Sequence, residues 1–290
     1  MKGIILAGGK GTRLHPSTIS VSKQLLPIYD KPLIYYPLSN LMSAGINEIL
    51  IISTDDNIDL FKKLLGNGDS LGIKLSFKAQ NHPNGIAEAF IIGEKFIGDD
   101  DVTLILGDNI FYGKQIIDSL SHQITQKSNG AKIFAYKVPD PQRYGVVEFD
   151  DQFSVLSIEE KPKKPKSNFA VTGLYVYGSS VCELVKTLQP SLRGELEITD
   201  LNNLYLKNNA LEVVLLDTGT AWLDAGTPDS LLEASHFVQT IQNRQLIQVG
   251  CIEEIAFNKG FISRSQFNKI VKSAPPNKYG DYLREISNQV

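Results

Sequence analysis

The 290-residue chain carries 29 Lys and Arg residues against 32 Asp and Glu residues, a net charge of −3, and 42% of its residues are hydrophobic. This composition is typical of a globular protein with one large α/β domain or two smaller ones, and it excludes a broad polyanion-binding surface, so we expect no nucleic-acid partner. Two distant cysteines, Cys182 and Cys251, exclude a disulfide scaffold, and without an apolar run of about 20 residues we expect a cytoplasmic protein with no membrane partner.

The first predicted element is a short buried strand at residues 3–7, which ends in a glycine-rich loop. Three glycines within residues 8–11 allow a tight turn, and successive backbone N–H groups in such a loop can bind an anion. Arg13 adds a planar guanidinium that suits phosphate oxygens, and Lys23 adds a second cation. The pattern predicts a nucleoside triphosphate site directly after the first strand.

Helices and strands alternate through the next hundred residues. The helices are predicted at residues 33–42, 58–65 and 85–97, and the strands at residues 48–53, 73–79 and 102–106. This alternation predicts βαβ units with right-handed crossovers and a largely parallel sheet. Because ligands bind beyond the carboxyl ends of such strands, we expect the polar loops 8–13, 80–85 and 107–109 to converge.

The pattern changes from about residue 131. Strands are predicted at residues 131–138, 144–149, 154–158, 170–177 and 211–216, and helices at residues 181–188, 197–207 and through most of the chain from residue 229. We therefore expect a core of residues 1–228 and a C-terminal helical segment, 229–290, packed on it. Within the core, residues 1–130 would bind the nucleotide, and residues 131–228 would complete the sheet and form the wall for a second substrate.

Several charged residues could carry chemistry. Asp108 and Asp224 each follow an apolar stretch and could share one Mg²⁺, which takes one or two carboxylates together with phosphate oxygens and water. Each aspartate alone is better explained as a turn former, and the cations of the glycine loop are what favour the metal site. Glu160 and Lys161 form either a solvated loop or a contact to hydroxyl and phosphate groups, and Arg193 is either a surface residue or a third phosphate contact.

Two better-known glycine motifs are disfavoured. The P-loop motif needs Lys and then Ser or Thr after its last glycine, whereas Gly11 is followed by Thr12 and Arg13. The dinucleotide fingerprint needs a third glycine where this chain has Leu14, and no acidic residue stands at the expected distance. A kinase-type phosphate loop and a nicotinamide cofactor are therefore not expected.

A set of segments spread along the chain carries a family resemblance: residues 6–16, 22–32, 106–113, 143–147, 159–162, 171–175, 193–200 and 222–224. Together they resemble the sugar-1-phosphate nucleotidylyltransferases, and most closely the glucose-1-phosphate thymidylyltransferase family, nearly end to end. The resemblance implies a Rossmann-like three-layer α/β/α fold with a mixed, mostly parallel central sheet, of the nucleotide-diphospho-sugar transferase type. It also implies Mg²⁺ as cofactor and a homotetramer.

The resemblance further implies a reaction and a set of site residues. The reaction is in-line transfer of a deoxythymidylyl group from dTTP to α-D-glucose 1-phosphate, giving dTDP-glucose and pyrophosphate, as the entry step to dTDP-rhamnose and related deoxysugars. The implied nucleotide contacts are Gly8, Gly11, Thr12, Arg13, Lys23, Gln24, Gln80, Gly85 and Asp108. The implied sugar-phosphate contacts are Asn109, Tyr144, Gly145, Glu160, Lys161, Val171, Arg193 and Asp224. The implied catalytic groups are Arg13, Lys23, Lys161, Asp108 and Asp224, and the last two are the implied Mg²⁺ ligands.

The physical chemistry agrees with this assignment. A sugar phosphate is already an anionic nucleophile at neutral pH, so no general base is needed, and no catalytic His or Ser constellation is expected. The barrier lies in bringing two anions together and neutralising charge as pyrophosphate leaves, which cations and positioning achieve. Two alternatives stay open: a nucleotidylyltransferase that prefers UTP or another sugar 1-phosphate, and a catalytically silent sugar-nucleotide-binding regulator.

The sequence departs from the family pattern at a few positions. Asn84, Ile86 and Glu88 stand where the family usually has Asp, Leu and Gln. The sequence therefore supports the nucleotide preference less strongly than it supports catalysis. Asn258 stands where the family usually has Arg, and Lys114 where it usually has His, in regions linked to product feedback. We therefore expect catalysis to be retained and feedback inhibition by dTDP-rhamnose to be weakened.

Overall fold

The computed structural model describes residues 1–9, 11–125 and 130–289, without the side chains of residues 123–125. The strands are β1 (Lys2–Ala7), β2 (Pro27–Ile28), β3 (Lys31–Pro32), β4 (Glu48–Ser53), β5 (Lys74–Ala79), β6 (Val102–Leu106), β7 (Asn109–Tyr112), β8 (Ala131–Lys137), β9 (Gly145–Phe149), β10 (Val155–Glu160), β11 (Phe169–Tyr177), β12 (Leu211–Leu215) and β13 (Ala221–Asp224). The α-helices are α1 (Tyr35–Ser43), α2 (Asp55–Leu65), α3 (Glu88–Ile97), α4 (Lys114–Thr125), α5 (Val181–Val185), α6 (Ile198–Lys207), α7 (Pro228–Gln245), α8 (Ile252–Asn258), α9 (Arg264–Ser273) and α10 (Lys278–Gln289).

Nine strands form one central sheet. Its main path runs β10-β9-β11-β6-β1-β4-β5, with β8 pairing β11 and β12 pairing β8. Strands β6, β1, β4 and β5 are mutually parallel, whereas β11 runs antiparallel to β6, β8 and β9. The predicted mixed sheet with its parallel first half is confirmed, and the crossovers through α1, α2 and α3 produce it.

Helices cover both faces of the sheet. Ile4 and Ile5 are fully buried on β1, but they belong to different cores because successive side chains of a strand point to opposite faces. The core around Ile5 includes α1, α2 and the C-terminal helices α8, α9 and α10, and the core around Ile4 includes α3, α5 and α6. This arrangement confirms the three layers. Within the described residues, no helix combines the length and hydrophobicity needed to cross a bilayer.

Several features differ from the expectation; helix α3, for example, begins at Glu88 rather than at residue 85. The helix predicted at residues 33–42 begins at Tyr35, because the β2–β3 hairpin extends to Pro32. Helix α4 was not predicted. The short strands β7 and β13 were not expected to pair, yet they form a separate antiparallel ladder in which Asp224 lies opposite Asn109. This ladder brings together residues 109–112 and 221–224, which are far apart in the sequence.

Candidate active site

The polar loops predicted to converge do so at one cleft. The cleft has a volume of about 360 Å³ and opens at the carboxyl ends of β1 and β6. The cleft is lined by six of the residues that were assigned to nucleotide binding: Gly8, Arg13, Gln24, Gln80, Gly85 and Asp108. The convergence is confirmed, and its physical reason is that β1, β5 and β6 are parallel strands whose carboxyl ends meet at the same edge of the sheet.

Close contacts and a positive φ angle explain why glycine occupies positions 8 and 11 of the loop after β1. A Cβ atom on Gly8 would lie 2.7 Å from Oε1 of Gln80, so only glycine leaves this wall of the cleft open. Gly11 has a φ of +57° and precedes a 3₁₀ turn at Thr12–Leu14, which carries Arg13. The Thr18 hydroxyl donates a hydrogen bond to the Gly11 carbonyl at 2.9 Å. The loop thereby places the Arg13 guanidinium at the cleft.

An ion pair between Lys23 and Asp108 lies at the cleft. Lys23 is only 7% exposed, and its Nζ lies 2.6 Å from Oδ2 of Asp108. Burial raises the pKa of the Asp108 carboxyl, but the charge and hydrogen bond of Lys23, with a further hydrogen bond from Asn109, outweigh burial and leave the pKa below its usual range. Asp108 is therefore ionised at neutral pH and fixed at both oxygens.

The β7–β13 ladder brings Asp224 beside this pair. The backbone N–H of Ala225 donates to the Asp108 carbonyl at 3.0 Å. The Asp224 carboxylate accepts hydrogen bonds from the Tyr144 hydroxyl at 3.2 Å and from Arg143 Nη2 at 3.3 Å. Burial is the main cause that raises the pKa of Asp224, and the nearby negative charge of Asp108 adds to it, while Arg143 and Tyr144 act in the opposite direction.

The two aspartates fit a magnesium site. Two neighbouring carboxylates repel each other, an effect that adds to burial in raising the pKa of Asp224, and a divalent cation would relieve that repulsion. In the parts of the chain that the structure describes, no group of three or more His, Cys, Asp or Glu side chains could hold a metal ion by itself. A pair of carboxylates agrees with Mg²⁺, which usually keeps water and substrate phosphates as its remaining ligands.

Arg13 lies close to the same aspartate. A Cβ atom on Gly226 would stand 3.1 Å from Oδ2 of Asp224 and 3.3 Å from Nη2 of Arg13. Glycine at this position therefore leaves free the space that both the guanidinium and the carboxylate approach.

A second group of predicted residues lies on β9, β10 and β11. A Cβ atom on Gly145 would lie 3.6 Å from Oε2 of Glu160 and 3.7 Å from Cβ of Val171, so these three assigned residues are neighbours. Glu160 accepts a hydrogen bond from the Thr199 hydroxyl at 2.6 Å and faces Lys161 Nζ at 3.3 Å. This group connects to Asp224 through Tyr144, which directly precedes Gly145.

Arg193 lies between the two groups. Its Nη2 atom is 2.8 Å from Oε1 of Glu197, 3.4 Å from Glu195 and 3.6 Å from Glu160. Glu195 lines the nucleotide cleft, whereas Glu160 belongs to the second group. The Arg193 guanidinium thus contacts one carboxylate of the nucleotide cleft and one of the second group, and we place it at the border between them.

The structure adds detail at positions where sequence reasoning was incomplete. Asn109 is 3% exposed, and its side chain faces inward: Oδ1 accepts from Trp222 Nε1 at 2.6 Å and from the Gly173 N–H at 3.1 Å, and Nδ2 donates to Asp108. Its assignment as a sugar-phosphate contact stays a prediction. Arg143 was not assigned to the site. Its position directly before Tyr144, within the family-like segment 143–147, could have indicated that it belongs there.

Comparisons with known proteins agree with this geometry. Residues 2–241 match the family described as nucleotidyl transferase. A glucose-1-phosphate thymidylyltransferase from Neisseria meningitidis serogroup A is 54% identical over 286 residues, which cover 99% of each chain. A solved structure from Bacillus anthracis, described as a glucose-1-phosphate thymidylyltransferase in complex with sucrose, is 43% identical with a TM-score of 0.76, over 82% of this chain and 94% of that one. A UDP-glucose pyrophosphorylase complexed with UDP-glucose is 23% identical with a TM-score of 0.70, over 82% of this chain and 98% of that one, and this likeness concerns the fold alone.

Proposed function

The chain belongs to the nucleotidyl transferase family and, within it, to the glucose-1-phosphate thymidylyltransferases, and from that premise we propose that it transfers a deoxythymidylyl group from dTTP to α-D-glucose 1-phosphate, giving dTDP-glucose and pyrophosphate. The observation that carries the proposal is the Lys23–Asp108 ion pair at the nucleotide cleft with Asp224 beside it. A module that only bound sugar nucleotides would not need this partly buried set of opposite charges. The product would enter the synthesis of dTDP-rhamnose and related deoxysugars.

Different residues of the chain have different roles in an in-line attack. Gly8, Gly11 and Thr12 hold the triphosphate with Arg13, and Lys23 neutralises the departing pyrophosphate. Lys161 faces the phosphate of the sugar substrate and orients its oxygen toward the α-phosphorus. Because that oxygen is already ionised at neutral pH, no side chain has to remove a proton, and the catalytic effect comes from positioning and charge neutralisation.

Asp108 and Asp224 would hold Mg²⁺, and the metal would supply charge neutralisation at the phosphate oxygens of the nucleotide. Arg143 and Tyr144 orient the Asp224 carboxylate by donating hydrogen bonds to its two oxygens. Glu160, kept in place by Thr199, is positioned to accept hydrogen bonds from sugar hydroxyl groups.

One assay separates this function from its two alternatives. The protein is incubated with Mg²⁺, glucose 1-phosphate and dTTP, UTP, dCTP or dATP in turn, and pyrophosphate release is measured. Fastest release with dTTP supports the proposal, and faster release with UTP supports a UTP-dependent nucleotidylyltransferase. Absence of release with every nucleotide and with other sugar 1-phosphates supports a silent regulator.

We also propose that the protein is a cytoplasmic homotetramer with weakened product feedback. A second cleft of about 420 Å³ is lined by Lys114 and by Ile255 of α8, and Asn258 ends that helix. With Lys114 and Asn258 in place of the family's usual His and Arg, we expect inhibition by dTDP-rhamnose to be weak. Full inhibition at low product concentration would contradict this expectation, and sedimentation measurements test the tetramer.

A further inference from the structure

Lys31 is a buried cation that the proposed mechanism does not use. The residue is only 4% exposed, and its Nζ atom donates hydrogen bonds to Oδ1 of Asp30 at 2.5 Å and to Oε1 of Gln242 at 3.2 Å. Gln242 closes a ring of contacts, because its Nε2 atom donates to Oδ2 of Asp30 at 3.0 Å. Burial of a lysine is costly unless the charge is paired and hydrogen-bonded, and this ring provides both conditions.

Elements that are distant in the sequence meet at the Lys31 ammonium. The ring centres of Tyr36 on α1 and of Tyr279 on α10 each lie 5.6 Å from Nζ, a distance typical of a cation–π contact. Gln242 lies on α7, and its Oε1 atom also accepts from the Val249 N–H at 3.1 Å. Lys31 therefore joins the β2–β3 hairpin to two helices of the C-terminal segment.

The hairpin that carries Lys31 also supports the turn that carries Lys23. Two residues after β3, the Ile34 N–H donates to the Gln24 carbonyl at 2.9 Å. Lys23 and Gln24 lie in one 3₁₀ turn just before β2, and this turn places Lys23 Nζ 2.6 Å from Oδ2 of Asp108. A shift of the hairpin would therefore move the Lys23 ammonium relative to the nucleotide cleft.

We propose that Lys31 is a positioning residue for the reaction: it attaches the β2–β3 hairpin to the C-terminal helices and thereby holds the Lys23 ammonium against the departing pyrophosphate. The inference rests on the proposed function in taking Lys23 as the group that neutralises pyrophosphate. It also gives the C-terminal segment a part in catalysis, because α7 and α10 both contact Lys31.

Lys31→Met, made in two backgrounds, tests whether Lys31 acts through Lys23. Methionine fills a similar space but cannot donate to Asp30 and Gln242. In the otherwise unmodified protein, the change should lower kcat/KM for dTTP about tenfold, the effect of losing a hydrogen bond to a charged group. In a Lys23→Ala background it should lower kcat/KM less than about twofold, because the group that Lys31 positions is absent.

A merely structural role for Lys31 predicts a different result. It would reduce the fraction of active protein and lower kcat/KM by the same factor in both backgrounds. An equal loss in the two backgrounds, or no loss in the otherwise unmodified protein, would overturn the proposal.

Tyr279→Phe is the matched control. The phenylalanine ring keeps its place beside the Lys31 ammonium, whereas the hydrogen bond from the Tyr279 hydroxyl to Oε2 of Glu253, 2.5 Å long, is lost. This variant should lose stability in urea unfolding and keep its kcat/KM for dTTP. A decrease in kcat/KM as large as that of Lys31→Met would contradict the proposal.

Amine labelling measures the accessibility of Lys23 without any catalysis. Under trace acetic anhydride, Lys23 should be acetylated slowly in the unmodified protein, because it is buried and paired with Asp108. Lys31→Met should raise this rate severalfold relative to the exposed Lys63, and Tyr279→Phe should not. An unchanged Lys23 rate in Lys31→Met, measured by mass spectrometry, would overturn the proposal.

Two further outcomes are covered by the same design. If Lys31→Met does not fold, Gln242→Met removes the other end of the contact, and the same results are expected of it. If the unmodified protein releases no pyrophosphate with any nucleotide, the proposed function fails, whereas the labelling rates still decide whether Lys31 positions Lys23.

Discussion

Replacing Asp108 by alanine should affect both turnover and stability. The change removes a proposed Mg²⁺ ligand and leaves the Lys23 ammonium, 7% exposed, without its partner at 2.6 Å. Removing one partner of a fully buried pair costs about 3–5 kcal/mol of unfolding free energy. The Asp108 side chain is 26% exposed, so we expect about 2 kcal/mol, in the range of a hydrogen bond to a charged group. Turnover should fall by roughly 10²–10³, as for removal of a key electrostatic group.

Urea unfolding and steady-state pyrophosphate release measure these two effects. Glu212→Ala is the control, because Glu212 pairs with Lys132 at 2.9 Å on the distant β8–β12 edge and is 62% exposed. That variant should lose less than about 1 kcal/mol and keep its turnover. Near-normal turnover in Asp108→Ala would refute the mechanism. A stability loss no greater than that of the control would refute the account of the ion pair.

The same variant has a pH signature. The pKa of Asp108 is lower in the folded protein than the unfolded value of about 4, so the ionised carboxylate contributes stability above that value. The contribution is lost as the pH falls through the folded pKa. The difference in unfolding free energy between the unmodified protein and Asp108→Ala should therefore be constant from about pH 5 to 7 and narrow below about pH 4. A difference that widened on acidification would contradict the lowered pKa.

Three other perturbations test single contacts. Lys161→Ala should lower turnover by roughly 10²–10³, whereas Lys163→Ala, at an exposed position in the same loop, should leave it unchanged; near-normal turnover in the former would count against its phosphate role. Gly85→Ala should lose nucleotide binding in calorimetry, because φ is +105° and the new Cβ would lie 2.3 Å from the Leu196 carbonyl oxygen. Burial raises the pKa of the Cys251 thiol, so iodoacetamide at pH 8 should label it only as fast as the protein unfolds, and rapid labelling of the folded protein would contradict its burial.

Much of the fold could be predicted because its elements are long and periodic. The continuous apolar runs of β1, β4 and β6 indicate strands covered on both faces, and their alternation with amphipathic helices requires parallel pairing. The glycine loop at the end of β1 and the convergence of three loops follow from that topology. The identities of Arg13, Lys23 and Asp108 as site residues were accessible from the same segments and from family resemblance.

Other features depend on contacts between distant segments. Strands β7 and β13 have four residues each, too few for a periodic signal, and only their pairing brings Asp224 to Asp108. The orientation of the Gln80 amide likewise depends on a carboxylate eight residues away that the helix α3 turns toward it.

The sequence by itself therefore determined the layers of the fold and the glycine loop after β1, because these depend on local patterns along the chain. It also indicated the class of chemistry, because the chain resembles a known family. Only the tertiary structure decided that the β7–β13 ladder places Asp224 beside Asp108, that the Asn109 side chain faces inward, and that the amide nitrogen of Gln80 faces Glu88. Hydrogen bonds and ion pairs act over about 3 Å, and which groups come that close is fixed by the packing of the whole chain.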